Sequence, residues 1–71
     1  MKYTNDSKRI AANIRAERCR TKLSQEEVAA KLGLTRRTYL KYEEDASTVK
    51  TGTLVKLADM FGCDIDAFYL P

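Results

Sequence analysis

Between residues 23 and 45, LSQEEVAAKLGLTRRTYLKYEED, the apolar positions fall into two short periodic runs. Val28, Ala29 and Leu32, at i, i+1 and i+4, predict a helix over 25–32. Ser24 stands at its N-cap with Glu27 three residues on, a pair whose side chains satisfy each other's free backbone N–H groups, and Leu23 and Val28 occupy the positions of an apolar staple. Gly33 follows where the chain must leave the helix left-handed. Thr35 can cap a second helix, with Leu34 and Tyr39 repeating the staple spacing. At about 100° per residue, Tyr39, Tyr42 and Glu43 share a side with Thr35, whereas Arg36, Arg37, Leu40, Lys41 and Glu44 lie opposite. The aromatic side is the one to bury, which turns the cations outward.

The flanking chain is also helical in pattern. Residues 1–6 are polar and aperiodic and are expected to be a flexible N-terminus. Residues 7–20 read as a helix with Ile10, Ala11 and Ile14 as its apolar edge, and Leu54, Leu57, Ala58 and Phe61 fit i, i+3, i+4, i+7 in a helix over 53–61 closed by Gly62. The start of that helix is poorly marked, since Thr48, Lys50 and Thr51 are all candidate caps and Gly52 weakens the first turn. Asp64 is placed to cap a last short helix, with Cys63 and Phe68 at staple spacing. The expectation is an all-α, compact five-helix domain over 7–71. Its core would hold Ile10, Ile14, Leu23, Val28, Leu32, Leu34, Tyr39, Leu54, Leu57, Phe61, Ile65 and Phe68. Phe68, Tyr69 and Leu70 either close that core or offer a surface for self-association.

Length and charge sharpen this picture. Seventy-one residues allow one domain that buries roughly 60 % of its unfolded surface. No stretch approaches the roughly 20 apolar residues of a membrane span, and MKYTNDSKRI lacks the apolar core of a signal peptide, so a cytoplasmic location and no membrane partner are expected. Residues 1–41 hold eleven Lys/Arg against four Asp/Glu, net +7, and residues 42–71 hold two against six, net −4, recovering the overall +3. A basic front half and an acidic back half are what a protein with one face on phosphate requires.

Catalysis and metal binding find little support. The chain has no histidine, and Cys19 and Cys63 are far apart without a C-x-x-C spacing, so neither a zinc site nor any other metal or cofactor is expected. Two free, partly buried thiols are the plain reading of these cysteines, a bridge between them the other. No nucleophile sits beside an activator, no small-molecule ligand is evident, and the chain is read as no enzyme.

The run Leu23-Ser24-Gln25-Glu26-Glu27-Val28-Ala29-Ala30-Lys31-Leu32-Gly33-Leu34-Thr35 resembles the helix-turn-helix of the phage lambda repressor and Cro class, the Xre-type family. The likeness continues through Arg36-Arg37-Thr38-Tyr39-Leu40-Lys41-Tyr42-Glu43 and on to Phe61-Gly62, covering about 10–70. It implies a transcriptional regulator, more a repressor than an activator and of phage or mobile-element type, binding double-stranded DNA as a homodimer with its third helix in the major groove. On that footing Arg36, Arg37, Leu40 and Lys41 are candidate base-reading residues, and Gln25, Thr35, Thr38 and Lys50 candidate phosphate contacts. Each has a plainer alternative: the cations as a solvated face, Leu40 as a packing residue, Lys50 as an ordinary surface lysine. The resemblance also implies a structural salt bridge between Arg18 and Glu43, and Glu43 falls on the side of its helix that needs an internal partner.

The sequence departs from the family pattern after Glu43. Glu44-Asp45 stand where an Asn-Gly is usual, which puts the left-handed exit from the third helix in doubt, and Val49 stands where a proline is frequent. Glu44 would repel phosphate; it either pairs with Lys41 or accepts from a cytosine amino group. The competing class is a protein-interaction module on the same fold, an antitoxin or antirepressor-like partner, with Leu40, Glu44 and Asp45 as contacts.

Overall fold

The computed structural model describes residues 2–71. Asp6 opens the first helix, α1 (Ser7–Arg20), by accepting from the Lys8 N–H at 3.0 Å. There follow α2 (Gln25–Leu32), α3 (Arg36–Tyr42), a 3-10 turn at Ala46–Thr48, α4 (Thr51–Phe61) and a second 3-10 turn at Ile65–Tyr69. Helix α1 lies against both 3-10 turns and α4, while α2 and α3 pack on each other.

The expected five helices are therefore four α-helices and two 3-10 turns. Asp64 makes no side-chain cap bond, and Ala67 N–H donates to the Asp64 carbonyl at 3.0 Å, the i to i+3 pattern of a tight turn. The segment has no room to relax into an α-helix, because Leu70 precedes Pro71 and is held extended at φ −69°, ψ 137°. Helix α4 begins at Thr51 rather than 53, and its cap residue, Lys50, offers no acceptor and makes no side-chain cap bond. After α3 the chain leaves without a left-handed residue: Glu43 stays right-handed at φ −86°, and the Glu44 and Asp45 N–H groups both donate to the Lys41 carbonyl. Asp45 then turns extended and caps the first 3-10 turn through Ser47 N–H, 2.9 Å from its carboxylate.

Left-handed backbone occurs at Gly33 (φ 70°) and Gly62 (φ 66°), each ending a helix, and at Lys22 (φ 61°). The lysine bears a cost of about 1–2 kcal/mol that glycine would not. It is located where α1 must reverse within four residues into α2.

The core comprises Ile10, Ala11, Ile14, Val28, Ala29, Tyr39, Ala46, Leu54, Leu57, Ala58, Phe61 and Phe68. Leu23, Leu32, Leu34 and Ile65, expected inside, are partly buried around it. Four alanines, Ala11, Ala29, Ala46 and Ala58, are buried instead, their single methyls letting neighbouring elements such as α1 and the first 3-10 turn pack together. Phe61 and Phe68 meet edge to face, with ring centroids 6.3 Å apart and planes at 89°.

Of the N-terminal segment, Met1 lies outside the described residues. Residues 2–6 run beside the C-terminal turn: Thr4 N–H donates to the Tyr69 carbonyl at 2.7 Å and the Tyr3 hydroxyl to Asp66 at 3.2 Å. Asn13 continues the seam from α1, its amide donating to the carbonyls of Phe68 (2.9 Å) and Leu70 (2.7 Å). Both cysteines are free thiols; Cys19 is exposed rather than partly buried, and Cys63 is half-buried. Among the described residues no helix is long and apolar enough to cross a membrane.

Candidate nucleic-acid interface

Local chemistry sets α2 and α3 at a fixed angle. The Ser24 N–H donates to Glu27 at 2.9 Å and the Glu27 N–H to the Ser24 hydroxyl at 3.0 Å, closing the capping box and holding the Glu27 carboxyl below the ordinary carboxylate range. Gly33, Leu34 and Thr35 form the whole connection, with Leu34 N–H donating to the Ala29 carbonyl at 2.9 Å. Thr35 then caps α3 by accepting from Thr38 N–H at 3.2 Å, and its hydroxyl lies 3.1 Å from that of Thr38.

On the inner side of α3, Tyr39 is fully buried and Tyr42 meets it edge to face at 6.2 Å. Arg36, Arg37, Lys41 and Glu44 are exposed on the outer side. Among the described residues, none of these four makes a side-chain hydrogen bond or ion pair, so the pairing of Glu44 with Lys41 does not form. Leu40 is half-buried and forms part of the wall of an open cleft of about 590 Å³.

That cleft gathers residues from three helices. Arg18 of α1, Gln25 of α2, Arg36 and Leu40 of α3 and Glu43 at its C-cap line it, joined by Arg15 and Glu44 and by Ser24 and Glu26 at the start of α2. Arg37, Lys41, Thr35, Thr38 and Lys50 lie outside it, all exposed.

At its base Glu43 collects donors from every side. Its side chain is 2 % exposed, and Arg18, at 13 %, meets it with two nitrogens, Nε at 2.6 Å and Nη2 at 3.2 Å. The Tyr39 hydroxyl donates to the same carboxylate, and Gln25 Nε2 does so at 3.1 Å. Arg18 also reaches the Leu23 carbonyl through Nη1 at 2.9 Å, locking the α1–α2 connection. Gln25, expected to face phosphate, is thus tied inward by one amide N–H, leaving its carbonyl oxygen and second N–H for the cleft. Tyr39 and Glu43 stand at i and i+4 on α3, a spacing visible in the sequence, whereas nothing local signals the Gln25 contact.

This network makes the fold's stability depend on pH at both ends of the range. Burial pushes the Glu43 carboxyl up, but the hydrogen bonds from Arg18, Tyr39 and Gln25 outweigh it and leave the group below its ordinary 4.5. A carboxylate with a lower pKa folded than unfolded stabilises the fold above the unfolded value, and that contribution is lost as pH falls through the folded one. Tyr39 is shifted the opposite way, upward from 10.0 by burial and then by Glu43, and its contribution is present below 10.0 and lost as pH rises beyond it. The melting temperature, followed by circular dichroism, is expected to hold steady through neutral pH and to fall below about 4.5 and above about 10, with Tyr39→Phe reducing the alkaline fall. A curve that stays flat well below 4.5 would contradict this assignment.

Comparison with known families agrees with this geometry. A family model described as helix-turn-helix matches residues 14–68, taking in the second half of α1 and all of α2, α3 and α4. The chain belongs to the lambda-repressor-like, Xre-type helix-turn-helix family of DNA-binding domains. A curated relative in this family, the cryptic phage CTXphi transcriptional repressor RstR of Vibrio cholerae, is 40 % identical over 56 residues. Those residues are 79 % of this chain, which spans half the length of that relative. Solved structures of hydroxypropylphosphonic acid epoxidase from S. wedmorenis superpose with a TM-score of 0.84 at 23–24 % identity. They cover 96–100 % of this chain and 36–37 % of the epoxidase, and at that identity the likeness is one of helix-turn-helix fold alone.

Proposed function

We propose that this helix-turn-helix domain is a sequence-specific double-stranded DNA-binding transcriptional repressor that reads the major groove with α3. The observation that carries the reading is the outer face of α3, where Arg36, Arg37 and Lys41 are exposed and unpaired among the described residues while Tyr39 and Glu43 anchor the opposite face. Arginine forks match guanine O6 and N7 bidentately, so Arg36 and Arg37 are assigned to bases near the start of the helix, Lys41 to a base farther along and Leu40 to a thymine methyl. Gln25, Thr35, Thr38 and Lys50 contact phosphate and fix the register. Arg18 and Glu43 hold the three helices together behind them. The relative RstR is a phage transcriptional repressor, which supports repression as the outcome of binding.

One domain presents one reading helix, which covers only a few base pairs. The proposed active form is therefore a two-fold dimer whose α3 helices sit about 34–36 Å apart in successive major grooves. The role is one of binding, with no reaction, cofactor or metal assigned.

Selection of bound sites from a random duplex library, followed by fluorescence anisotropy on the consensus, tests the reading. The expected consensus has inverted symmetry and guanines in each half. Arg36→Ala and Arg37→Ala should each reduce discrimination at one position by about 1–3 kcal/mol, whereas Gln25→Ala should weaken all duplexes alike. Failure to enrich any sequence, or arginine variants with unchanged preference, would sink it.

A further inference from the structure

We propose that Arg15 of α1 is a DNA-backbone clamp outside the helix-turn-helix, neutralising one phosphate where a strand passes over the cleft; this rests on the DNA-binding reading above. Helix α1 carries four arginines, and three of them have intramolecular partners. Arg9 donates to the Pro71 carbonyl at 3.3 Å, Arg18 to Glu43 and Leu23, and Arg20 to Glu17 at 2.9 Å and the Phe61 carbonyl at 2.7 Å. Arg15 is the one with no hydrogen bond or ion pair among the described residues, and it is exposed. It is also the one whose open guanidinium lines the cleft shared with Gln25 and Arg36.

The electrostatics of that cleft single Arg15 out. Arg18, the other α1 guanidinium there, is paired with Glu43, so the unpaired guanidiniums lining the cleft are Arg15 of α1 and Arg36 of α3. Glu26 and Glu44 also line the cleft, both exposed, and their carboxylates repel phosphate, which leaves the two open guanidiniums as the cleft's attractive points for a strand. Helix α1 does not enter the groove in this docking geometry, so a cation on its flank meets sugar-phosphate rather than base edges. Arg15 lies three residues before Arg18, one helical turn along the same face, which is why a structural arginine and a phosphate-facing arginine can share one edge of α1.

Anisotropy of the full chain on its selected duplex and on a scrambled duplex, across a series of NaCl concentrations, tests the clamp with Arg15→Gln, Arg15→Lys and Arg9→Gln. Each neutralised phosphate contributes about 0.9 to the slope of log K against log[salt]. Arg15→Gln is expected to lower the slope by about 0.9 and to weaken both duplexes about eightfold at roughly 0.1 M salt, with an unchanged thermal melt. Arg15→Lys should keep the slope, and Arg9→Gln, removing the same charge at the far end of α1, should leave slope and affinity as they are. Equal slopes for Arg15→Gln and wild type, an equal loss in Arg9→Gln, or a loss confined to the selected duplex would each overturn the clamp and leave the DNA-binding reading standing. Absence of any salt-dependent binding by the wild-type chain would overturn both.

Discussion

Arg18→Ala is expected to lower the unfolding free energy by about 3–5 kcal/mol, the cost of leaving a buried charge without its partner. The carboxylate left behind is 2 % exposed and would keep only Tyr39 and Gln25 as donors, neither of them charged. Against the roughly 5–15 kcal/mol that hold small domains together, such a loss leaves a large unfolded fraction at moderate temperature. Urea denaturation followed by circular dichroism measures it directly. Replacing both partners with apolar residues, as in Arg18→Met with Glu43→Leu, should recover only part of the loss, because the Tyr39 hydroxyl would then lose its acceptor in the core. An Arg18→Ala protein with wild-type stability would reduce the pair to surface decoration.

Phe68→Ala is the second large effect, with an expected cost of about 3–5 kcal/mol for emptying a fully enclosed aromatic site. The ring is inaccessible to solvent, packs edge to face on Phe61, and its backbone carbonyl accepts from Asn13. Of the two roles open to residues 68–70 in the sequence, Phe68 takes the first: it closes the monomer core. Leu70, 52 % exposed, is free of that duty. Leu70→Ala should therefore leave the urea midpoint unchanged. A Phe68→Ala protein whose stability at low concentration matches wild type, with only its concentration dependence altered, would place the ring at a subunit contact instead.

These contrasts show what the residue pattern encodes and what it leaves to tertiary structure. The bounds of α2 and the start of α3 were legible because Ser24, Glu27, Gly33 and Thr35 are local signals whose partners lie within four residues, whereas the exit from α3 carries no such signal. The burial of Tyr39 and of the Glu43 side chain followed from helical angle alone. The beginning of α4 was not legible, since Lys50 caps it without a side-chain bond and leaves no mark. Neither was Ala46, whose burial depends on α1 lying against the turn that contains it. The left-handed Lys22 is invisible for a different reason: lysine has no preference for that conformation, and no residue type marks the position. Nothing in the sequence separates Arg15 from Arg9, Arg18 and Arg20 either; only the intramolecular partners of those three do.

The hydrogen bonds between residues 3–4 and the turn at Ile65–Tyr69 have a practical corollary. Because Thr4 and Tyr69 are joined at 2.7 Å, residues 3–4 and the Ile65–Tyr69 turn lie side by side, and among the described residues none of these lines the cleft. A fluorophore or surface tether placed beside this seam therefore sits away from the cleft walls, which makes it a convenient labelling position for single-molecule work.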